Sequence, residues 1–275
     1  MKITIKEPKD PALFSYLKEL GYAGIDYSFP SFKDRQHLMS RDFELAFAGR
    51  MEKIRAAGLL VWQCHLTYYP THLEPLGDGS YAVYEAEILQ ILEKEIRLAA
   101  EYGIKIAVIH LFVGADQASS REGNLILLKK LLPILKEADV TLAIENIYNK
   151  GCTDAYLSSA EDLLYYVRHF DDRHIAVCFD SGHAVARGEK PLEMLRELGD
   201  KVAALHLHSN VPGKDLHLPP ALLVSTFDWP SLGGVLREID YAGSFNMEIV
   251  PWGLSGEAER AYYRMAYETA KQLLA

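Results

Sequence analysis

The chain predicts a closed parallel (β/α)8 barrel, and three observations carry that expectation. Eight short apolar runs, rich in β-branched residues, alternate with eight helical stripes along 275 residues. Alternation of this kind builds a parallel sheet covered by helices, and eight units in ~250 residues is the size at which such a sheet closes on itself. The longer breaks follow the strands while the helix-to-strand links are tight, which gathers the long loops on one face. The competing architecture, an open doubly wound sheet, lacks its phosphate-binding signature, because no G-x-G-x-x-G follows the first run.

Taken in order, the first strand is 2–6 and the first helix 11–20, closed by Gly21. Strand 23–29 leads through a long break, 30–41, into helix 42–57, which stops at Gly58. Strand 59–66, break 67–83 and helix 86–102 end at Gly103 in the same way. Glycine suits the left-handed position just past a helix C-terminus. The fourth unit is strand 105–112, break 113–121 and helix 122–137, and the fifth is strand 140–147, break 148–158 and helix 159–170. Strand 175–180 and helix 191–198, with Gly199, make the sixth. The seventh joins strand 202–208 to helix 229–239 through the longest break, 209–228, and strand 244–250 with helix 257–274 completes the chain. No linker-like or low-complexity stretch interrupts the pattern, so one domain spanning 1–275 is the simplest count.

Bulk properties narrow the function. A net charge of −9 offers no basic footprint for nucleic acid and disfavours it as a partner, although a local basic rim can sit within an acidic total. No apolar run approaches the ~20 residues of a membrane span, and the N-terminal residues Met1 to Ile5 read as a strand rather than a signal sequence. Cys64, Cys152 and Cys178 are odd in number and lack CxxC spacing, which makes a reduced, cytoplasmic protein the expectation. A homo-oligomer is compatible with all of this.

The chemistry sits where the apolar runs stop. Glu145 closes the fifth strand, Asp180 the sixth and Glu248 the eighth, with His206 and His208 two apart on the seventh. A buried strand ending in a charge loses hydration, and a divalent metal at a common mouth removes that cost. His65 and His110 end the third and fourth strands, and Asp215 and His217 lie on the loop after the seventh. The structural alternatives are salt-bridged glutamates and capping or core histidines. For Asp180, a helix N-cap is the alternative. The ligand role is preferred, since Asp180 belongs to the strand and Gly182 lets the chain turn to bring His183 beside it. Aromatics on the post-strand loops (Phe29, Phe32, Tyr68, Tyr69, Phe112, Tyr148 and Trp252) suit either an apolar wall around a ligand or ordinary loop packing.

From Gly24-Ile25-Asp26 to Glu248 the chain resembles the xylose-isomerase-like TIM-barrel superfamily, which holds sugar isomerases and epimerases and endonuclease IV. The resemblance implies a metal site of Glu145, Asp180, His206 and Glu248, with His183 contacting substrate or a second metal. A residue of matching type also stands at each position of the larger endonuclease IV set, which adds His65, His110, His183, Asp215 and His217. The surrounding words differ from that nuclease: Ile147-Tyr148-Asn149-Lys150 follows Glu145-Asn146, and Ser181-Gly182 separates Asp180 from His183. Asp215 to Pro220 matches the Asp-x-His-Leu-Pro of many sugar-isomerase relatives, but Ala221-Leu222-Leu223 replaces their glycine-rich continuation. On strand seven the family pattern favours His206, while position nearer the mouth favours His208; His206 is preferred.

The resulting expectation is a metal-dependent isomerase or epimerase of a small sugar or related polyhydroxy-carbonyl compound. Glu145 and Glu248 are the expected proton-transfer pair. The cofactor is one divalent ion, with up to three accommodated, and the donor types admit Mn²⁺, Zn²⁺, Mg²⁺ or Co²⁺. The alternative is a multinuclear zinc phosphodiesterase like the abasic-site endonuclease. The loops carry only scattered basic residues, Lys33, Arg35, Arg121, Lys150 and Lys214, which counts against it.

Overall fold

Eight parallel strands run in the order β7-β6-β5-β4-β3-β2-β1-β8. They are β1 (Ile3–Lys6), β2 (Gly24–Ser28), β3 (Leu60–His65), β4 (Ile106–Ile109), β5 (Thr141–Glu145), β6 (Ile175–Asp180), β7 (Val202–His206) and β8 (Phe245–Met247). A parallel bridge between Leu207 and Met247 joins the two ends of the sheet into a barrel. The bonds there are Leu207 N to Asn246 O at 2.9 Å and Glu248 N to Leu207 O at 3.2 Å. The computed structural model describes residues 1–69, 80–113, 116–148, 156–221 and 226–275. Cys152, Asn149, Lys150, Leu222, Leu223 and the middles of the breaks after β3 and β5 lie outside them.

Helices cover the barrel: α1 (Leu13–Leu20), α2 (Arg35–Leu38), α3 (Arg41–Ala56), α4 (Ser80–Glu101), α5 (Gln117–Ala138), α6 (Ala160–Phe170), α7 (Ser181–Arg187), α8 (Pro191–Leu198), α9 (Trp229–Glu238) and α10 (Gly256–Leu274). All eight expected helices are present, and α2 and α7 are additions. Helix α4 starts six residues earlier than the pattern suggests and α5 five residues earlier. The early start of α5 has a visible cause: Asp116 accepts from Ser119 N at 2.7 Å and Asp116 N donates to Ser119 Oγ at 3.1 Å, a reciprocal cap.

Two register shifts decide which side chains face inward. Between β6 and β7 the pairing runs Val177 with Val202, then Cys178 with Ala204, so β7 carries one extra residue. Unbroken register would place Leu205 beside Asp180. The shift instead pairs Asp180 with His206, and in a period-two strand that turns the imidazole inward. The same device between Ile25 and Asp26 on β2 skips Trp62 and sets Gln63 beside Asp26.

The barrel interior is divided. Between β4 and β7 it is small and apolar: Val108, Ala143, Cys178 and Ala204 pack together. On the β8–β1–β2–β3 side it is polar, yet hydrogen-bonded. Thr4 Oγ1 lies 2.9 Å from both Ser244 Oγ and Asn246 Oδ1, while Asn246 Nδ2 and Gln63 Nε2 donate to Asp26 Oδ2 at 2.8 and 3.1 Å. Cys64 and Cys178 are buried free thiols. Among the described residues no helix is long and apolar enough to cross a membrane.

Candidate metal centre

Every candidate site residue named from the sequence lies at the mouth formed by the C-terminal ends of the strands. The donor atoms of Glu145, Asp180, His206 and Glu248 lie within 4.8 Å of one another, all buried. His206 Nδ1 is 3.1 Å from Glu145 Oε1, 3.4 Å from Glu248 Oε2 and 4.0 Å from Asp180 Oδ2. Three further groups accompany this one: Glu145, Cys178 and His206, which overlaps it, and two that extend beyond it, His65, His110 and Glu145, and His208, Asp215 and His217. Glu145 is shared, since its Oε2 lies 3.3 Å from His65 Nε2 and 3.1 Å from His110 Nε2.

The two histidines of β7 separate by depth. His206 enters the four-donor group, and His208 Nε2 reaches Asp180 Oδ2 at 3.0 Å while its ring stacks on His217. Gly182 makes room for it, because a Cβ there would fall inside the His208 ring. The opposition drawn above between a capping and a ligand role for Asp180 needs correction: the residue caps as well. Its Oδ1 accepts from His183 N at 2.6 Å to start α7, and Oδ2 remains aimed at the histidines. Asn146 serves the same corner, accepting from Asp180 N at 2.7 Å and donating to Asp180 O at 2.8 Å.

The chemistry of this donor set favours a cation. His65 Nδ1 donates to Leu66 O at 2.7 Å, His183 Nδ1 to Asn146 O at 2.9 Å and His217 Nδ1 to Glu248 O at 2.9 Å. A carbonyl only accepts, so each bond puts the ring proton on Nδ1 and leaves a lone pair on Nε2. Those lone pairs point at carboxylate oxygens: His65 at Glu145, His183 at Asp215 (3.5 Å), and His217 at Asp215 (3.2 Å). Two acceptors facing each other need a positive charge between them, either a second ring proton or a metal. Glu145 Oε2, His65 Nε2, His110 Nε2 and His206 Nδ1 are moreover buried with no hydrogen-bond partner, a costly state unless something takes their lone pairs. The residues therefore fit a divalent ion. His217 adds backbone strain, with φ at +48°, a conformation that tends to persist where function requires it.

Charge acts in the same direction. Burial pushes the Glu145 carboxyl up, but His206 and His110 beside it hold it well below the ordinary carboxylate range. Burial works likewise on Glu248, and Lys6, His206 and His217 prevail over it. Lys6 was not singled out from the sequence, where it reads as the polar exit of β1. Its ammonium lies 2.5 Å from Glu248 Oε1, which leaves Oε2 to face the histidines. Asp26 was likewise missed as a site residue: its Oδ2 lies 3.1 Å from His206 Nε2, behind the ring, and turns Nδ1 toward the mouth. Of the loop aromatics, Phe29, Phe32, Tyr69 and Phe112 are packed into the core. Tyr68 instead stacks on His65 at 4.0 Å between ring centroids.

The fold is that of one known class of barrel. The sequence matches the family described as the xylose isomerase-like TIM barrel over residues 14–265, and the chain belongs to that family. It is similar to an uncharacterized protein of Sinorhizobium fredii, y4fM, with 28% identity over 94% of this chain and 86% of the relative. It is also similar to the D-psicose 3-epimerase of Enterocloster bolteae, with 24% identity over 59% of this chain and 52% of that protein. Among solved structures, a D-tagatose 3-epimerase-like protein superposes with a TM-score of 0.73 at 18% identity, covering 100% of this chain and 97% of its own.

Proposed function

We propose that this chain is a metal-dependent isomerase or epimerase of a small sugar, acting by proton transfer at a carbon beside a carbonyl. The observation that carries the reading is the convergence of Glu145, Asp180, His206 and Glu248 on one buried point. The similarity to D-psicose 3-epimerase supports the substrate class. Glu145, Asp180, His206 and Glu248 would hold the ion. When bound, the ion supplies Lewis acidity toward adjacent carbonyl and hydroxyl oxygens of the sugar.

The protein's own residues do the remainder. Glu145 and Glu248, both held below the ordinary carboxylate range, take the proton from the substrate carbon and return it. Lys6 holds Glu248 Oε1, so that carboxylate approaches with Oε2 alone. His183, with Nδ1 committed to Asn146 O, presents Nε2 to a substrate hydroxyl beside Asp215. Tyr68 stacked on His65 bounds the mouth on the β3 side.

The test is solvent deuterium incorporation at the substrate carbon during turnover of ketohexoses, measured for wild type, Glu145→Gln and Glu248→Gln with metal content monitored. Removing a general base costs ~10²–10⁴-fold in rate, and each amide should lose that much while still binding sugar. Unchanged turnover in both variants refutes the assignment.

A second reading, a multinuclear zinc phosphodiesterase, is favoured by one observation: two further donor groups flank the first. Clustered ions stabilise attacking and leaving oxygens in phosphoryl displacement. Against it, the loops carry no cluster of basic residues, and of the scattered ones Arg35 pairs with Glu87 while Arg121 lies over the Tyr165 ring. Metal stoichiometry with identity separates the readings: one ion supports the isomerase, three zincs with cleavage of an abasic-site duplex support the hydrolase.

A further inference from the structure

Beside the mouth, the turns after β1 and β8 enclose a cleft of about 370 Å³ that the proposed reaction does not use. Its floor is Lys6, the residue that grips Glu248, so the cleft begins one side chain from the proposed proton-transfer group. One wall follows β1. Arg50 braces it, pairing with Glu7 and donating from Nη2 to Pro8 O at 2.6 Å. The facing wall is the turn Val250 to Leu254, closed by Trp252 N to Val250 O and Leu254 N to Pro251 O. Trp252 is 63% exposed, unusually so for an indole, yet it is not loose: Nε1 donates to Leu216 O at 2.7 Å. That bond ties the indole to the segment carrying Asp215 and His217, so the ring is fixed relative to the candidate ligands.

We propose that this cleft is a subsite for a second, uncharged sugar ring joined to the one that reacts. The proposal rests on the isomerase reading and makes its substrate a glycoside or disaccharide rather than a free monosaccharide. Pockets for small molecules start near ~300 Å³, so the volume suits one additional ring and no more. A fixed, exposed indole offers a flat apolar face to the C–H side of such a ring. Asp10 and Lys9 on the opposite lip offer polar partners for its hydroxyls. Charge disfavours a phosphate in that place. Glu7 is neutralised by Arg50 and Lys6 by Glu248, which leaves the carboxylates of Asp10 and Glu259 against the single ammonium of Lys9.

The experiment is calorimetric titration of the metal-loaded protein with cellobiose, maltose and lactose, with D-glucose as the single-ring control. At least one disaccharide should bind more tightly than glucose, and Trp252→Ala should cut that advantage about tenfold, the size of a lost aromatic contact. Trp252→Phe keeps a ring and should retain most of the advantage. Leu254→Asn trims the lip without touching the indole, should lose part of it, and covers the case in which the alanine variant misfolds. The proposal is overturned if no disaccharide outbinds glucose, or if the ratio is equal in wild type and Trp252→Ala. The readout is binding alone, so absence of solvent-deuterium incorporation into the disaccharide that binds, with the ratio intact, would defeat the isomerase reading and leave the subsite standing.

Discussion

Glu95 on α4 supplies the sharpest quantitative test. Its carboxyl is buried and, among the described residues, is hydrogen-bonded by Thr67: Thr67 N donates to Oε2 at 3.0 Å, and Thr67 Oγ1 sits against Oε1. The same hydroxyl lies 2.8 Å from Pro30 O, which can only accept. Thr67 has one hydroxyl proton; given to Pro30, it leaves Glu95 Oε1 to be the donor, so the geometry calls for the neutral acid. The electrostatics agree, since burial pushes Glu95 from 4.5 up to about 8 against the opposing pull of the Thr67 bonds. The folded-state value is raised, so below pH 4.5 both states are protonated and Glu95 contributes no pH dependence. As pH climbs from there to about 8 the unfolded chain releases a proton that the folded chain keeps, and stability falls. At 1.36 kcal/mol per pH unit the loss is roughly 3 kcal/mol by pH 7 and approaches ~5 kcal/mol beyond pH 8. Glu95→Gln presents one acceptor and one donor in the same places and does not titrate. Unfolding free energies from urea titration should therefore coincide within about 1 kcal/mol near pH 4.5–5, then diverge in favour of the variant as pH rises to 8.5. A difference that is flat with pH, or one favouring wild type at pH 8, would refute the reasoning.

Three other outcomes follow from the site. Asp26→Asn removes the carboxylate behind His206 and should weaken divalent-metal affinity ~10–100-fold, measured by competition with a chromophoric chelator; unchanged affinity would show that His206 is oriented by packing alone. Gly182→Ala drives a methyl into the buried His208 ring and should cost ~1–3 kcal/mol of stability, read as a lowered thermal midpoint; a neutral result would mean α7 can shift without disturbing Asp180. Removing bound metal with a chelator should lower the thermal midpoint and restoring it should reverse the change, because a ligand of the native state stabilises by mass action; a midpoint insensitive to chelation would point to ring protons, not metal, between the paired acceptors.

The strand ends that form the candidate site were legible because buried parallel strands announce themselves as apolar runs, and a charge at the end of such a run stands out. Glu145, Asp180 and Glu248 were found that way. Asp26 gave the same signal, a carboxylate between Ile25 and Tyr27 within an apolar strand, but mid-strand acids are easily read as the outward face of an alternation. Lys6 was hidden by its place at a strand end, where lysine is ordinary. Helix α7 was missed because it follows β6 without a loop, so Asp180 is at once the last strand residue and the cap of a helix. The register shift that turns His206 inward depends on pairing between β6 and β7 and has no local signature.

What lay furthest from the sequence is the direction of the lone pairs. Residue type says that a histidine can bind metal; it does not say which nitrogen is left to do so. Here that choice is made by backbone carbonyls of Leu66, Asn146 and Glu248, each placed at or beside the end of a barrel strand. Each carbonyl fixes one ring proton and turns the other nitrogen toward a carboxylate: His65 is set by its own strand end, His183 and His217 by the ends of neighbouring strands β5 and β8. Such rings are oriented before any ion arrives, and binding need not pay for rotating them. That preorganisation ties the candidate site to the barrel itself: a change that shifts the end of β5 or β8 by one residue moves the carbonyl away from the ring it orients, and turns the strand's own carboxylate to the wrong face.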